Sequence, residues 1–153
     1  MTKVDTIKHI YERFAHNDGA AILATFDENI EFRLAEGHPY AESDGTPWIG
    51  GDAIAQSFFK RAAAEWRDWT FHVHEIIETS DAVVIEGRYS ADYEPTGRHL
   101  DAQACHVWRF RDGRIASFHQ YVDTARVQHV MGLPLWPPHQ RPTVFPGVPV
   151  SDG

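Results

Sequence analysis

Cysteine and long apolar runs are the features that the sequence most clearly lacks. Cys105 is the single cysteine, so no internal disulfide is possible; this fits a reducing compartment and predicts a cytoplasmic protein. No run of roughly 18 apolar residues occurs, so we expect no membrane-spanning helix. The N-terminus mixes charged with apolar residues and lacks the apolar core of a signal peptide.

Positive charge is scarce as well. The chain has 14 Lys and Arg residues against 22 Asp and Glu residues, which gives a net charge of −8. Such a surface repels phosphate groups, so the sequence predicts neither a nucleic-acid nor a membrane partner. With 153 residues, 42% hydrophobic and 24% charged, the composition is that of one globular domain large enough to bury its own core.

Proline is concentrated at the C-terminus, where residues 132–153 hold six of the nine prolines. Proline removes a backbone donor and fixes φ, which predicts a domain over residues 1–131 followed by an extended tail outside any sheet. The tail also carries apolar side chains, among them Trp136 and Phe145. We therefore expect it to pack on the chain's own surface or on a partner subunit; a mobile tail is the alternative.

Helical spacing dominates the first 66 residues. Apolar residues from Val4 to Phe14 recur every three or four positions, which predicts an amphipathic helix. Asp18 is a suitable N-cap for a short second helix, and Asp52 for a third that runs to about residue 66. Between these two helices, alternation over residues 30–34 predicts a strand, followed by a loop.

After residue 67 the apolar period changes to two. It predicts strands near 69–78, 82–93, 99–111 and 114–124, joined by short turns such as Asp112-Gly113. Strands joined by short turns pair antiparallel, so the sequence predicts an α+β fold, with helices first and an antiparallel sheet after them. Long strands curl, and a curled sheet closed by N-terminal helices forms a cone with an internal pocket.

Three segments carry a resemblance to a known family: DGAAILATFDENIEF (18–32), GGDAIAQSFFKRA (50–62) and VWRFRDGRIASFHQYVD (107–123). In this order they resemble the nuclear-transport-factor-2-like superfamily, which includes SnoaL-like polyketide cyclases, ketosteroid isomerases and limonene-epoxide hydrolases. The resemblance covers about residues 4–131, is closest to the SnoaL-like group and implies a cone-shaped α+β fold. Because that fold hosts many activities, the function must be argued from the pocket.

Strand parity selects His106 as the main candidate for chemistry. On the strand near 99–111, the set that contains His106 and Trp108 lacks long charged side chains and is predicted to face into the cone. The hairpin register then turns Phe118, Gln120 and Val122 inward. A neutral imidazole can move a proton near physiological pH, and the resemblance places His106 where relatives carry an inward histidine or acidic donor. The alternative is a core histidine bound to a backbone carbonyl or to Gln120.

The strand near 82–93 has two polar candidates, Glu86 and Arg88. Epoxide hydrolases carry an inward arginine at the position of Arg88, and this resemblance favours placing both side chains in the pocket. Arg88 would then orient a carbonyl or carboxylate, and Glu86 would serve as a base. The alternatives are that the two residues pair with each other or face solvent.

The opposite set on this strand then lies on the convex face of the sheet. Its members are Val83, Ile85, Gly87 and Tyr89. An apolar convex face predicts a homodimer through the sheet.

Three positions depart from the relatives. Leu34 stands where ketosteroid isomerases carry a catalytic aspartate, and Gln120 where SnoaL cyclases and epoxide hydrolases carry one. Ser90 stands at a further aspartate of the epoxide hydrolases. None of the three catalytic sets is complete, so catalysis requires a new arrangement around His106.

A pair of histidines, His72 and His74, precedes Glu78 at a spacing that resembles the start of a cupin metal site. The second half of that motif is absent, and three helical segments precede the sheet. We therefore predict neither a metal nor a cofactor.

The function predicted from these residues is a cofactor-free isomerase, cyclase or lyase acting on a hydrophobic carbonyl compound such as a polyketide or terpenoid. A non-catalytic module that binds a small ligand and an epoxide hydrolase-like hydrolase are the alternatives. The catalytic candidates are His106, Glu86, Arg88 and Gln120. The substrate-binding candidates are Tyr11, Leu34, Trp48, Phe59, Trp108, Phe118 and Val122.

Overall fold

The computed structural model describes residues 1–134, in which three helical segments precede most of a curved sheet. The predicted tail lies outside the described residues from residue 135 onward. The helices are α1 Lys3–Ala15, α2 Gly19–Leu23, α3 Gly51–Ile54, α4 Lys60–Glu65 and α5 Thr124–Val130. The sequence patterns did not predict α5, which begins where the Asp123 side chain accepts a hydrogen bond from the backbone N–H of Arg126.

Six strands form one sheet. They are β1 Phe26–Arg33, β2 Trp48–Ile49, β3 Trp66–Glu78, β4 Ala82–Tyr93, β5 Arg98–Arg111 and β6 Arg114–Val122, in the spatial order β2-β1-β6-β5-β4-β3. The predicted α+β class is confirmed, with one difference: β1 pairs parallel with β6. Parallel pairing is possible because most of the chain separates these two strands, whereas short turns force β3 to β6 to be antiparallel.

The burial of β4 contradicts the predicted placement of Glu86 and Arg88. Val83 and Ile85 are fully buried, Glu86 is exposed, and Arg88 is half-exposed on the convex face. The Arg88 guanidinium donates from Nε to Asp101 Oδ1 at 2.8 Å. Placing the charged set inside would have removed two charges from water while exposing a row of apolar side chains, so the apolar set faces inward.

The convex face therefore does not have the predicted composition. Of the set predicted to be convex, Val83, Ile85 and Tyr89 are buried on the inner side together with Gly87. The outward residues of β4, β5 and β6 are of mixed polarity. They include Val84, Glu86, Arg88, Cys105, Val107 and Tyr121.

Parity places the side chains around His106 on β5 and β6 as predicted, whereas Val122, the last residue of β6, lines the outer groove rather than the interior. His106 and Trp108 are 2% and 3% exposed. Across the hairpin, His106 stands opposite Gln120, and Trp108 stands opposite Phe118. Both partners on β6 are buried, so the four side chains form one inward patch.

The third predicted helix is interrupted by a π-helical turn, Ala55–Phe59, between α3 and α4. The wider turn brings two neighbouring aromatic residues, Phe58 and Phe59, to the interior. Both rings contact Phe14 of α1, with ring centroids 6.2 Å apart in each case. Helices α1 and α3–α4 thus close the cone against the concave side of the sheet.

None of the helices within residues 1–134 is both long and apolar enough to cross a membrane.

Candidate functional site

A buried histidine between two tyrosines lies at the centre of the cone. His106 Nδ1 lies 2.7 Å from the Tyr11 hydroxyl, and His106 Nε2 lies 2.5 Å from the Tyr89 hydroxyl. The Phe71 ring stacks on the imidazole, with the ring centroids 4.4 Å apart and the planes 22° apart. Both ring nitrogens are therefore occupied by hydroxyl groups, and one face of the ring is covered.

Each tyrosine is held by a second hydrogen-bond donor. Trp108 Nε1 donates to the Tyr11 hydroxyl at 3.1 Å, and Gln120 Nε2 donates to the Tyr89 hydroxyl at 3.0 Å. Gln120 Oε1 in turn accepts the backbone N–H of Ala35 at 3.4 Å. That last contact fixes which end of the Gln120 amide meets Tyr89.

Five elements assemble this network: α1, β3, β4, β5, which carries His106 and Trp108, and β6, which carries Gln120. Tyr11 lies on α1, directly after the buried Ile10, and reaches across to β5. Tyr89 belongs to the inward set of β4, and Phe71 comes from the edge strand β3. Gly87 is essential to the stack, because a Cβ there would lie 2.6 Å from Cε1 of Phe71 and closer still to the His72 carbonyl oxygen.

The cavity beside the network is small, with a volume of about 40 Å³. Its walls are the polar groups above and aromatic or aliphatic side chains from α1, the π-helical turn and the sheet, such as Phe14, Phe32, Phe58 and Phe118. This volume holds about one water molecule, so the prediction of a ligand-sized pocket is wrong. No Asp, Glu, Lys or Arg lies among the residues that line it in the described part of the chain.

Burial keeps the whole network neutral at physiological pH. Desolvation lowers the pKa of His106 to about 3, so the imidazole carries one proton. Desolvation also raises the pKa of Tyr11 and the pKa of Tyr89 above the ordinary tyrosine value, although each accepts a hydrogen bond that acts in the opposite direction. The site can therefore donate hydrogen bonds and pass protons, and it holds no ionised base.

The structure brings six of the predicted site residues together around this cavity. These are Tyr11, Phe59, His106, Trp108, Phe118 and Gln120. Leu34 and Trp48 instead line an outer groove of about 610 Å³ beside residues 34–46, and Phe32 lines both spaces. Val122 lies with Glu86 and Arg88 along a groove of about 540 Å³ on the outer side of the sheet. The sequence-based prediction thus merged three separate surfaces into one pocket.

The sequence analysis does not predict two residues that contact His106, Tyr89 and Phe71. The resemblance to epoxide hydrolases puts Tyr89 on the convex face, whereas the alternation of β4 alone puts it inside. Phe71 carries no signal in the sequence, because its position over His106 depends on the missing side chain at Gly87.

No three His, Cys, Asp or Glu side chains come together in metal-binding geometry within residues 1–134. His72 and His74 are both exposed, and His74 lies at an irregularity in the pairing of β3 with β4, between Val73 and Glu75. The strand is not regular there, so the spacing of this pair does not build a site with Glu78.

Residues 7–118 match the family model of the SnoaL-like domain, and this chain belongs to that family. Most of the cone lies within the matched span, including Tyr11, Tyr89 and His106, whereas Gln120 lies just beyond it. No functionally curated protein matches this chain.

Solved structures agree with this assignment. An NTF2-like protein from Burkholderia thailandensis is 30% identical, with 86% of this chain and 98% of that chain covered and a TM-score of 0.76. IdmH of Streptomyces antibioticus, a suggested polyketide cyclase, is 22% identical, with coverages of 87% and 100% and a TM-score of 0.71. TerC, co-crystallised with polyporic acid, is 22% identical, with coverages of 84% and 97% and a TM-score of 0.73. The last two likenesses establish the fold alone.

Proposed function

We propose that the chain is a cofactor-free enzyme that isomerises or cyclises a neutral, hydrophobic carbonyl compound by proton transfer. The observation that carries this proposal is the Tyr11–His106–Tyr89 network, a neutral polar set at one end of an aromatic cavity. A tyrosine hydroxyl placed there polarises a carbonyl oxygen by donating a hydrogen bond in a dry environment, where such a bond is strong. The suggested cyclase activity of IdmH is consistent with this reaction class.

The chemistry of the walls limits the substrate. A carboxylate or phosphate would enter a space lined by no lysine or arginine in the described part of the chain, and its charge would remain uncompensated. A flat apolar body with one oxygen at the polar end is the group that these side chains can accommodate. The co-crystal of TerC indicates that this fold can accept a small molecule of some size.

Substrate entry requires a rearrangement, because about 40 Å³ is far below the volume of a ring compound. Phe71 is the side chain best placed to move. It is only partly buried, it lies on an edge strand, and it stacks on both Tyr11 and His106. A substrate ring that replaces the Phe71 ring would meet the tyrosine hydroxyls directly.

A non-catalytic binding module is the second candidate. It is favoured by one observation: no carboxylate lines the cavity within the described residues, and Leu34 and Gln120 stand where relatives carry acids. The hydrolase alternative loses support for a related reason, because Ser90 lies on the outer side of β4 and Gln120 cannot act as an acid.

The proposal is tested with α-tetralone, an aromatic ketone, in D₂O. The wild-type chain is expected to accelerate loss of the α-hydrogens, measured by proton NMR. His106→Gln is expected to reduce the enzyme-dependent exchange rate by about 10²–10⁴-fold, the usual contribution of a positioned acid/base group. Tyr121→Phe is the matched control, because it removes an exposed tyrosine hydroxyl outside the network and should leave the rate unchanged.

Three results distinguish the candidates. Exchange that depends on His106 supports the enzyme. Binding of α-tetralone, detected as a rise in thermal stability, with no exchange above the buffer rate supports the binding module. Neither binding nor exchange contradicts both.

We also propose that the chain forms a homodimer through the outer side of the sheet, with Cys105, Val107 and Tyr121 in the contact. Tyr121 is 52% exposed there, in a face of mixed polarity. Light scattering is expected to give twice the chain mass of 17.4 kDa, and Tyr121→Asp is expected to shift the protein to the monomer. A wild-type monomer at all concentrations contradicts the dimer.

A further inference from the structure

We propose that Tyr11, His106 and Tyr89 form a two-state proton relay, in which the tautomer of His106 decides which tyrosine hydroxyl donates into the cavity. Tyr89 is then a second catalytic residue, and Gln120 is its positioning residue. The catalytic part of this inference rests on the proposed function, whereas the two states are a property of the free protein.

The two tyrosine hydroxyls have similar surroundings, because each oxygen accepts a hydrogen bond from a side chain other than His106. The Tyr11 oxygen accepts a hydrogen bond from the indole N–H of Trp108, which has no acceptor of its own. The Tyr89 oxygen accepts one from the amide nitrogen of Gln120, whose carbonyl is occupied by the Ala35 N–H. Each tyrosine oxygen therefore keeps one free acceptor site and its own hydrogen.

The two neutral tautomers of His106 give the network two hydrogen-bonding states. A neutral imidazole has one N–H and one bare nitrogen. With the proton on Nδ1, the ring donates to the Tyr11 oxygen, Tyr89 donates to Nε2, and the Tyr11 hydrogen has no partner in the network. With the proton on Nε2, the ring donates to the Tyr89 oxygen, Tyr11 donates to Nδ1, and the Tyr89 hydrogen is the free one.

One hydroxyl hydrogen is thus always left over, and both tyrosines line the cavity. A buried donor without an acceptor costs free energy, and a carbonyl oxygen in the cavity would satisfy it. The protein consequently contains a hydrogen-bond donor for substrate in either state, at a different corner of the cavity each time.

The relay moves protons without leaving a charge behind. From the Nδ1–H state, Tyr11 gives its hydroxyl proton to the substrate carbonyl oxygen and takes the proton from Nδ1. Nε2 takes the hydroxyl proton of Tyr89, whose oxygen takes the proton released from the α-carbon of the substrate. The C–H electron pair becomes the new C=C bond, the π pair of the carbonyl binds the proton on oxygen, and the ketone has become its enol.

A second half-reaction resets the relay for a β,γ-unsaturated ketone, whose enol is conjugated with the second C=C bond. Tyr89 returns a proton to the γ-carbon of this dienol and takes the proton from Nε2, while Nδ1 takes the proton of Tyr11 and Tyr11 takes the enol proton. The O–H electron pair restores the C=O bond, and the remaining C=C bond now lies between the α- and β-carbons. The substrate has then been isomerised, and His106 is again in the Nδ1–H state. Because every proton moves between neutral groups, the low basicity of the buried imidazole does not stop the transfer.

Long-range ¹H–¹⁵N spectra of histidine-labelled protein test the relay without substrate, since Nδ1 and Nε2 have different shifts in the two neutral tautomers. His106 is assigned by the signal lost in His106→Gln. We expect the wild-type signals to report both tautomers, as averaged or doubled resonances. Removing one hydroxyl leaves its second donor without an acceptor: the Gln120 amide N–H in Tyr89→Phe and the Trp108 N–H in Tyr11→Phe. The ring nitrogen on that side is expected to stay bare, as the acceptor that remains there, and the proton to lie on the other nitrogen. Tyr89→Phe should therefore fix the Nδ1–H form, and Tyr11→Phe the Nε2–H form.

A second route to the Nε2–H form guards against loss of folding in Tyr11→Phe, which also leaves the Trp108 N–H unpaired. In Gln120→Glu at pH 8 the carboxylate accepts the Tyr89 hydrogen, so the Tyr89 oxygen must accept from Nε2–H. Tyr121→Phe is the control and should shift the signals of His119 but not those of His106.

The same single tautomer in the wild type, Tyr89→Phe and Gln120→Glu overturns the relay, and so does an imidazolium signal at neutral pH. Opposite tautomers in Tyr89→Phe and Gln120→Glu support it. This result is independent of ketone exchange: opposite tautomers without exchange leave the relay standing and contradict the proposed function, and exchange with a single fixed tautomer does the reverse.

Discussion

Lowering the pH from 6.5 to 4 is expected to reduce the free energy of unfolding by several kcal/mol, because two histidines are buried in the neutral form. Burial lowers the pKa of His106 to about 3, and burial together with the Arg61 charge lowers the pKa of His38 to about 4. In the unfolded chain both pKa values return to about 6.5, so the unfolded chain binds more protons below that pH and is favoured. Each histidine accounts for about 3 kcal/mol by pH 4.

The pH range over which stability is lost identifies histidines, and not carboxylates, as the groups responsible. Asp5, Asp27, Asp44 and Asp101 have pKa values lowered mainly by hydrogen bonds, so the stability they contribute is lost only below their ordinary pKa of 3.8. The pKa of the half-buried His119 is also lowered, chiefly by desolvation, and it adds to the loss in the upper window.

Urea unfolding at pH 7, 6, 5 and 4 measures this effect in the wild type, His106→Gln, His38→Gln and the double variant. The comparison uses the slope against pH, so a constant loss of stability in a variant does not matter. Each single variant should show a shallower slope than the wild type, and the double variant the shallowest. An unchanged slope in the double variant would show that other groups cause the acid sensitivity.

Gly87→Ala is expected to destabilise the chain by about 3 kcal/mol, the upper end of the range for overpacking. The new Cβ would lie 2.6 Å from Cε1 of Phe71 and closer still to the backbone of His72, which cannot move without breaking the β3–β4 pairing. Phe71 would be pushed away from the imidazole. Equilibrium urea unfolding measures the loss of stability, and the histidine spectra report the altered environment of His106.

Gly19→Ala is the matched control. Gly19 is the first residue of α2, and a Cβ there would lie 3.6 Å from the Phe59 side chain, which is an ordinary contact. Alanine favours the helix, so the stability should stay level or rise slightly. Equal losses in the two variants would mean that the space at Gly87 is not what the close contacts indicate.

Alternation along single strands correctly predicted which side chains around His106 on β5 and β6 face inward. The parity of β5 placed His106 inside, and the hairpin register placed Gln120 and Phe118 beside it, because a period of two leaves each strand only two orientations. The same rule applied to β4 would have placed Tyr89 inside. The resemblance to epoxide hydrolases overrode it and brought Glu86 and Arg88 inward, against the cost of burying charge.

The rest of the site depends on contacts that no local pattern contains. The distance from Tyr11 to His106 spans 95 positions in the sequence, and Phe71 reaches the imidazole only because Gly87 has no side chain. The π-helical turn that brings Phe58 and Phe59 inward also breaks the helical period used for prediction. The size of the cavity follows from all these side chains together, so the sequence alone could not give it.

The parallel pairing of β1 with β6 has a consequence for how the chain matures. Strand β1 ends at residue 33, but the strand it lies beside begins at residue 114, so a growing polypeptide must extend past residue 114 before the first strand finds its neighbour. Loop closure over such a distance is slow compared with hairpin formation, which places the joining of β1 to the antiparallel strands β3 to β6 late in folding. A ribosome that stalls before residue 114 would leave β1 without this neighbour, free to pair with the same segment of another nascent chain.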